Sequence, residues 1–112
     1  MEAGSSNENI EIIPRVFSPD EDGYNDVLSI RYHFNEPGLV VNATVFDSRG
    51  RIIQYVARNV FVGEDATLSW NGINLDNEKA KIGIYVLYSE VFNAAGEVRK
   101  YKNTFVVAGK LK

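Results

Sequence analysis

The densest cluster of chemistry-bearing side chains in this sequence is Ser18-Pro19-Asp20-Glu21-Asp22-Gly23-Tyr24-Asn25-Asp26. Calcium takes roughly six to eight oxygen ligands, and a tight loop can turn alternate side chains inward to supply them. Asp20, Asp22 and Asp26, with Gly23 as the turn residue, come near the D-x-D-G spacing of calcium loops. Ser18 stands where an EF-hand-like loop has its first Asp, and Ser29 where it has its bidentate Glu. Two readings stay open. In one, Ca2+ binds and pins the strand before the loop to the strand after it. In the other, Asp20, Asp22 and Asn25 form Asx-turns that shape a rigid corner without an ion. Bound calcium would raise the melting temperature and a chelator would lower it. An unchanged melting temperature at millimolar calcium would exclude the ion. No other cofactor is expected.

The remaining reactive residues point away from catalysis. There are no cysteines, so disulfides, thiol nucleophiles and Cys-ligated zinc are ruled out. His33 is the only histidine, which leaves no multi-His metal site. It alternates with Arg31 on what should be the solvent face of a strand, and no G-x-S-x-G motif accompanies it. Asp20, Asp22, Asp65 and Asp76 could pair as glycosidase carboxylates, yet nothing supplies an aromatic-lined cleft. The chain is therefore expected not to be an enzyme, any chemistry lying in other domains of a parent protein. A net charge of −3 over 112 residues gives no basic footprint for nucleic acid. No apolar run is long enough to span a membrane.

The elements that would carry these residues read as strands. Periodicity is two nearly throughout. Leu28, Ile30, Tyr32 and Phe34 alternate with Ser29, Arg31 and His33; Val41, Ala43 and Val45 alternate with Asn42 and Thr44. Residues 52–56 and 67–70 give shorter strands. Residues 83–92 are apolar on both faces and should be central and covered on both sides. Residues 98–107 close the series, with Arg99, Lys100 and Lys102 as a charged face that guards an edge. Residues 10–17, interrupted by Pro14, should form one edge strand, because proline cannot donate to a ladder. Val45-Phe46-Asp47-Ser48-Arg49-Gly50-Arg51-Ile52 and Val91-Phe92-Asn93-Ala94-Ala95-Gly96-Glu97-Val98 share one pattern, an Asx cap and a left-handed glycine, which predicts two hairpins. The polar segment 74–81 reads as a solvated loop.

The fold class is thus all-β, an Ig/fibronectin-III-like sandwich of about seven antiparallel strands. Residues 1–9 read as a flexible linker, with Met1 an added start, and residues 10–112 as one domain excised from a longer protein. Trp70 should sit between the sheets. The tyrosines should mostly form cross-strand aromatic pairs, although an aligned exposed row could bind a glycan or peptide. Asn42-Ala43-Thr44 is a glycosylation sequon expected to be unused.

Four segments in order carry a resemblance: Val16-Phe17-Ser18-Pro19-Asp20-Glu21-Asp22-Gly23-Tyr24-Asn25-Asp26, then Val45-Phe46-Asp47-Ser48-Arg49-Gly50-Arg51-Ile52, then Leu68-Ser69-Trp70-Asn71-Gly72, then Ile82-Gly83-Ile84-Tyr85. They resemble the F-S-P-N-x-D-G-x-N-D, Y-D-x-x-G-R, W-D-G and A-G-x-Y run of the FlgD Ig-like domain family, over residues 14–108. Trp70-Asn71-Gly72 departs from W-D-G by one carboxylate. The resemblance implies a non-catalytic Ig-like module at the C-terminal end of a secreted or surface protein of bacteria such as Bacteroidetes, and the domain is expected to be a monomer. It is also similar to lamin-tail and gliding-motility modules, some of which act as type IX sorting signals. The implied partners are neighbouring domains and cell-surface or secretion machinery.

Overall fold

The computed structural model describes residues 9–19 and 27–109. The strands are β1 (Asn9–Ile13), β2 (Val16–Phe17), β3 (Leu28–His33), β4 (Val40–Asp47), β5 (Ile52–Phe61), β6 (Asp65–Trp70), β7 (Gly83–Phe92) and β8 (Val98–Val107). They form a three-stranded sheet ordered β1-β3-β6 and a five-stranded sheet ordered β2-β8-β7-β4-β5. This is the expected sandwich, with eight strands rather than about seven.

The extra strand comes from Pro14. Its missing N–H ends the β1–β3 ladder at Ile13, and the chain crosses to the other sheet. There β2 pairs with β8 in parallel, Val16 opposite Val106 and Phe17 opposite Val107. The expected single edge strand is therefore two short strands, each at the edge of a different sheet. The sandwich is not wholly antiparallel for the same reason.

The alternation read from the sequence sets the core. Leu28, Ile30 and Tyr32 of β3 point inward against Val41, Ala43 and Val45 of β4 and Leu87 and Val91 of β7, all of them buried. The expectation that β7 is covered on both faces is not met. Tyr85, Leu87, Ser89 and Val91 are buried on one face, but Ile84 on the other is 59% exposed. β7 is central within its sheet, between β8 and β4, and only its inner face meets a second layer. A continuous apolar run here marks a sheet whose outer face is itself apolar.

A buried polar contact ties the two layers. Tyr32 Oη lies 2.9 Å from Ser89 Oγ across the sandwich. Burial pushes the Tyr32 phenol up to about 12, with the Ser89 bond pulling slightly the other way. The proton is held more tightly in the folded state than in the unfolded one, where the phenol titrates near pH 10. Stability from this group is therefore complete below pH 10 and is lost as the pH rises from about 10 to about 12. Alkaline unfolding followed by circular dichroism should show that loss, about 3 kcal/mol at the far end. Tyr32→Phe should flatten it, at a cost near neutral pH of about 1–2 kcal/mol for the orphaned Ser89 hydroxyl. A Phe variant with the same alkaline slope as the parent would refute the assignment.

Candidate interaction surface

One end of the sandwich is built with more care than its loops require. Phe17, Trp70, Tyr85 and Phe105 gather there. The Trp70 ring centroid lies 5.7 Å from Phe17, 5.9 Å from Phe105 and 6.4 Å from Tyr85. Trp70 Nε1–H donates to the Ile73 carbonyl at 3.0 Å, so the indole is buried without an orphaned donor. The Tyr85 hydroxyl donates back to the Lys81 carbonyl at 2.6 Å, in the manner of the tyrosine corner of Ig-type sandwiches. Burial first, then the nearby Asp47 charge, pushes that phenol up. These two bonds explain the Trp-Asn-Gly and Gly-Ile-Tyr motifs physically: each aromatic clamps the backbone of the segment joining β6 to β7.

Three turns at this and the opposite end share one geometry. In the β4–β5 hairpin, Asp47 Oδ1 accepts from the backbone N–H groups of Arg49 and Arg51, each at 2.9 Å, and Gly50 N–H closes on the Asp47 carbonyl at 3.0 Å. The Arg51 and Arg49 N–H groups and the Arg51 guanidinium together hold the Asp47 carboxyl below its usual range. In the β7–β8 hairpin, Asn93 accepts from Ala95 and Glu97 at 3.0 and 2.9 Å, with Gly96 in the left-handed position. Both match expectation. The third copy lies inside the segment expected to be only a solvated loop. Asn74 Oδ1 accepts from Asp76 and Glu78 at 2.9 and 3.0 Å, and Asn77 takes the left-handed position at φ 65°. The signal was present as Asn74-x-x-Asn77, the same Asx spacing with asparagine in place of glycine.

These turns frame an apolar surface. Directly opposite residues of neighbouring strands share a face, so the registers define rows across the outer side of the five-stranded sheet. Val16, Val106 and Ile84 form the first row; Val86, Phe46 and Ile52 fall in the second; Tyr88 and Tyr55, on either side of Thr44, fall in the third. At its end this face runs into a groove where Leu75, Ile82 and Ile84 are 54%, 73% and 59% exposed, rimmed by Arg49, Asp76 and Lys81. Contiguous exposed aliphatics of this kind mark contact surfaces more often than random scatter does. Sequence reasoning did not single out Ile82, Ile84 or Leu75. The clue to Ile84 was the apolar run on both faces of β7, which reads equally as burial; Leu75 and Ile82 precede that strand.

The other sequence-derived residues are placed as follows. Asp20, Asp22, Asp26 and the turn residue Gly23 lie outside the described residues. Ser18 and Pro19, which lead into that loop, and Leu28, which follows it, are described; Pro19 and Leu28 are buried. His33 is exposed as expected, its Nδ1 2.7 Å from Asp65 Oδ1 on the neighbouring strand. Asp65 is thereby far from Asp76 in the fold's connectivity, one opening β6 and the other in the β6–β7 turn. Asn42 spends its side-chain oxygen on the Asn59 backbone N–H at 2.8 Å, stitching a bulge between β4 and β5. Among the described residues no helix is long and apolar enough to cross a membrane.

Two layers, a first edge segment that passes from one to the other, a tryptophan between sheets and a tyrosine-corner bond define an Ig-like β-sandwich. The chain belongs to the CHU_C Type IX secretion signal domain family, whose model matches residues 11–107. The protein is accordingly secreted or held at the cell surface. Among solved structures it is similar to PorZ, an essential bacterial surface component of the type-IX secretion system of Porphyromonas gingivalis. The identity is 18% and the TM-score 0.57, over 95% of this chain and 12% of that one. The chain thus spans only a small part of that protein. It is also similar to FlgD from Xanthomonas campestris, at 17% identity and TM-score 0.55 over 72% of this chain and 57% of that one. CopC from Methylosinus trichosporium OB3b shares 16% identity and a TM-score of 0.50 over 78% and 79%. Likenesses this distant show the fold. The resemblance to the FlgD Ig-like family therefore holds at the level of architecture, while the family itself is the secretion-signal one. Among curated proteins, none matches the sequence.

Proposed function

We propose that this domain is the export address of a larger bacterial protein, read by type IX secretion machinery through its folded outer face, and that it carries no catalysis of its own. The observation that supports this most is the family match across residues 11–107, nearly the whole described chain. The surface that suits recognition is the aliphatic groove of Leu75, Ile82 and Ile84 beside the β4–β5 turn. It is rigidly framed by Asx-capped turns, so the machinery would meet a preformed shape rather than a flexible tail. A glycan-binding face has weaker support. Tyr55 and Tyr88 do share the outer face, but the Arg58 guanidinium covers the Tyr55 ring at 3.8 Å and Phe46 meets Tyr88 edge to face.

The test is a reporter protein fused ahead of this domain in a bacterium with type IX machinery. The reporter is expected in the medium or on the cell surface. Ile82→Asp combined with Ile84→Asp should leave the melting temperature within a few degrees, because both residues are exposed and cost about 0.5 kcal/mol or less each. The same pair should leave most of the reporter inside the cell. Retention of the unmodified fusion would overturn the export reading. Normal export of the double variant would overturn the assignment of the surface.

A further inference from the structure

The open side of β8 is the most unusual feature of the five-stranded sheet. All ten residues of β8 pair with β7, but on the other side β2 covers only Val106 and Val107. Val106 N–H donates to the Arg15 carbonyl at 2.9 Å and Ala108 N–H to the Phe17 carbonyl at 2.8 Å. Backbone groups alternate sides along a strand. Hence Thr104, Lys102 and Lys100 turn their N–H and carbonyl groups to the same side as Val106, where strand pairing among the described residues has stopped. The chain that could have continued it, residues 9–13, sits on the other sheet because of Pro14.

Two further observations bear on what could pair there. Between this edge and β1 runs a cleft lined by Ile10, Ile12, Arg15 and Asn103. Asn103 points inward, opposite Leu87, and its Oδ1 is buried without a hydrogen-bond partner among the described residues. A buried acceptor left unsatisfied is costly, and an incoming N–H would recover that cost. The charge around the edge is basic. Among the described residues, Arg15 and Lys102 line the cleft with one acid, Glu11, 3.7 Å from Arg31, and Lys100 follows along the edge opposite Glu90 of β7, so cations outnumber the carboxylates. Lysines on an open edge repel a second copy, since β8 against β8 would set Lys100 and Lys102 against their equals. They select for a strand of opposite charge.

We propose that the edge of β8 from Lys100 to Thr104 is a docking site for an extended acidic segment of a partner protein. The segment adds as a strand where β2 ends and supplies an N–H to Asn103 Oδ1. This inference stands independently of the export reading, because it concerns a different surface and a different assay.

The probe is a synthetic capped peptide of alternating glutamate and valine, with an alternating lysine and valine peptide as its opposite. Amide hydrogen exchange of the full chain, followed by NMR, should show at least tenfold slowing at Lys100, Lys102 and Thr104 with the acidic peptide. Affinity should fall as salt rises. Lys102→Pro removes an N–H that the β7 ladder does not use, and should weaken binding at least tenfold. Lys100→Glu with Lys102→Glu keeps the strand intact and should transfer preference to the basic peptide. The proposal is overturned by protection elsewhere on the domain, by no binding at millimolar peptide, or by a double variant that still prefers the acidic peptide. It is equally overturned if sedimentation shows that the edge pairs two copies of this chain instead.

Discussion

Trp70→Ala is expected to cost about 3–5 kcal/mol of folding stability, the range for truncating a large buried aromatic. The residue is 4% exposed and, from the three-stranded sheet, touches three rings of the opposite layer: Phe17 from β2, Phe105 from β8 and Tyr85 from β7. With no cysteine in the chain, nothing covalent compensates. Against a total stability of about 5–15 kcal/mol, the loss leaves the domain near its limit. Thermal unfolding by circular dichroism should place the midpoint about 12–40 °C lower, at roughly 4–8 °C per kcal/mol for a domain near this size. Trp70→Phe should cost less, for a definite reason. The Ile73 carbonyl also accepts from Gln54 Nε2 at 3.1 Å, so it stays satisfied when the indole N–H is gone. A loss below about 1 kcal/mol in the alanine variant would mean the sheets are held elsewhere.

Gly72→Ala is the second large effect, and it has internal controls. Gly72 sits at φ +85°, where an L side chain is strained, and a Cβ there would lie 2.7 Å from Pro19 Cβ and 3.2 Å from Phe17 Cε2. Gly50 and Gly96 have nearly the same φ, +83° and +85°, with nothing within 4 Å. All three alanine variants should pay about 1–2 kcal/mol for the left-handed backbone. Only Gly72→Ala should pay a further amount of about 1–3 kcal/mol for overpacking against Pro19 and Phe17. The difference between Gly72→Ala and Gly50→Ala in denaturant midpoint therefore isolates the contact that seats the start of the acidic loop on the β6–β7 turn. Equal losses in all three would show that Pro19 yields freely.

The sheets, the two hairpins, the position of Trp70 and the exposure of His33 follow from period-two alternation and Asx–Gly spacing, which are local properties. What did not follow is non-local. Nothing in residues 10–17 states that Pro14 sends the chain to a different sheet, because that depends on where β8 lies. The outer face of β7 was misread because an apolar side chain looks the same whether a second layer covers it or a groove displays it. The β6–β7 turn was missed for a chemical reason. Asparagine tolerates the left-handed position better than most other side chains, so Asn77 hid a turn that Gly50 and Gly96 advertise. The surface now proposed for recognition lies where these two misreadings meet. The acidic loop, the strongest chemical signal in the sequence, is bracketed by Pro19 and Leu28 but lies outside the described residues.

The parallel pairing of β2 with β8 brings residues from opposite ends of the domain side by side. Val16 meets Val106, ninety positions apart in the chain. Within the domain the first partner is synthesised long before the second, so a chain cut short inside β8 cannot assemble the row formed by Val16, Val106 and Ile84. This part of the outer face therefore exists only once synthesis has passed β8.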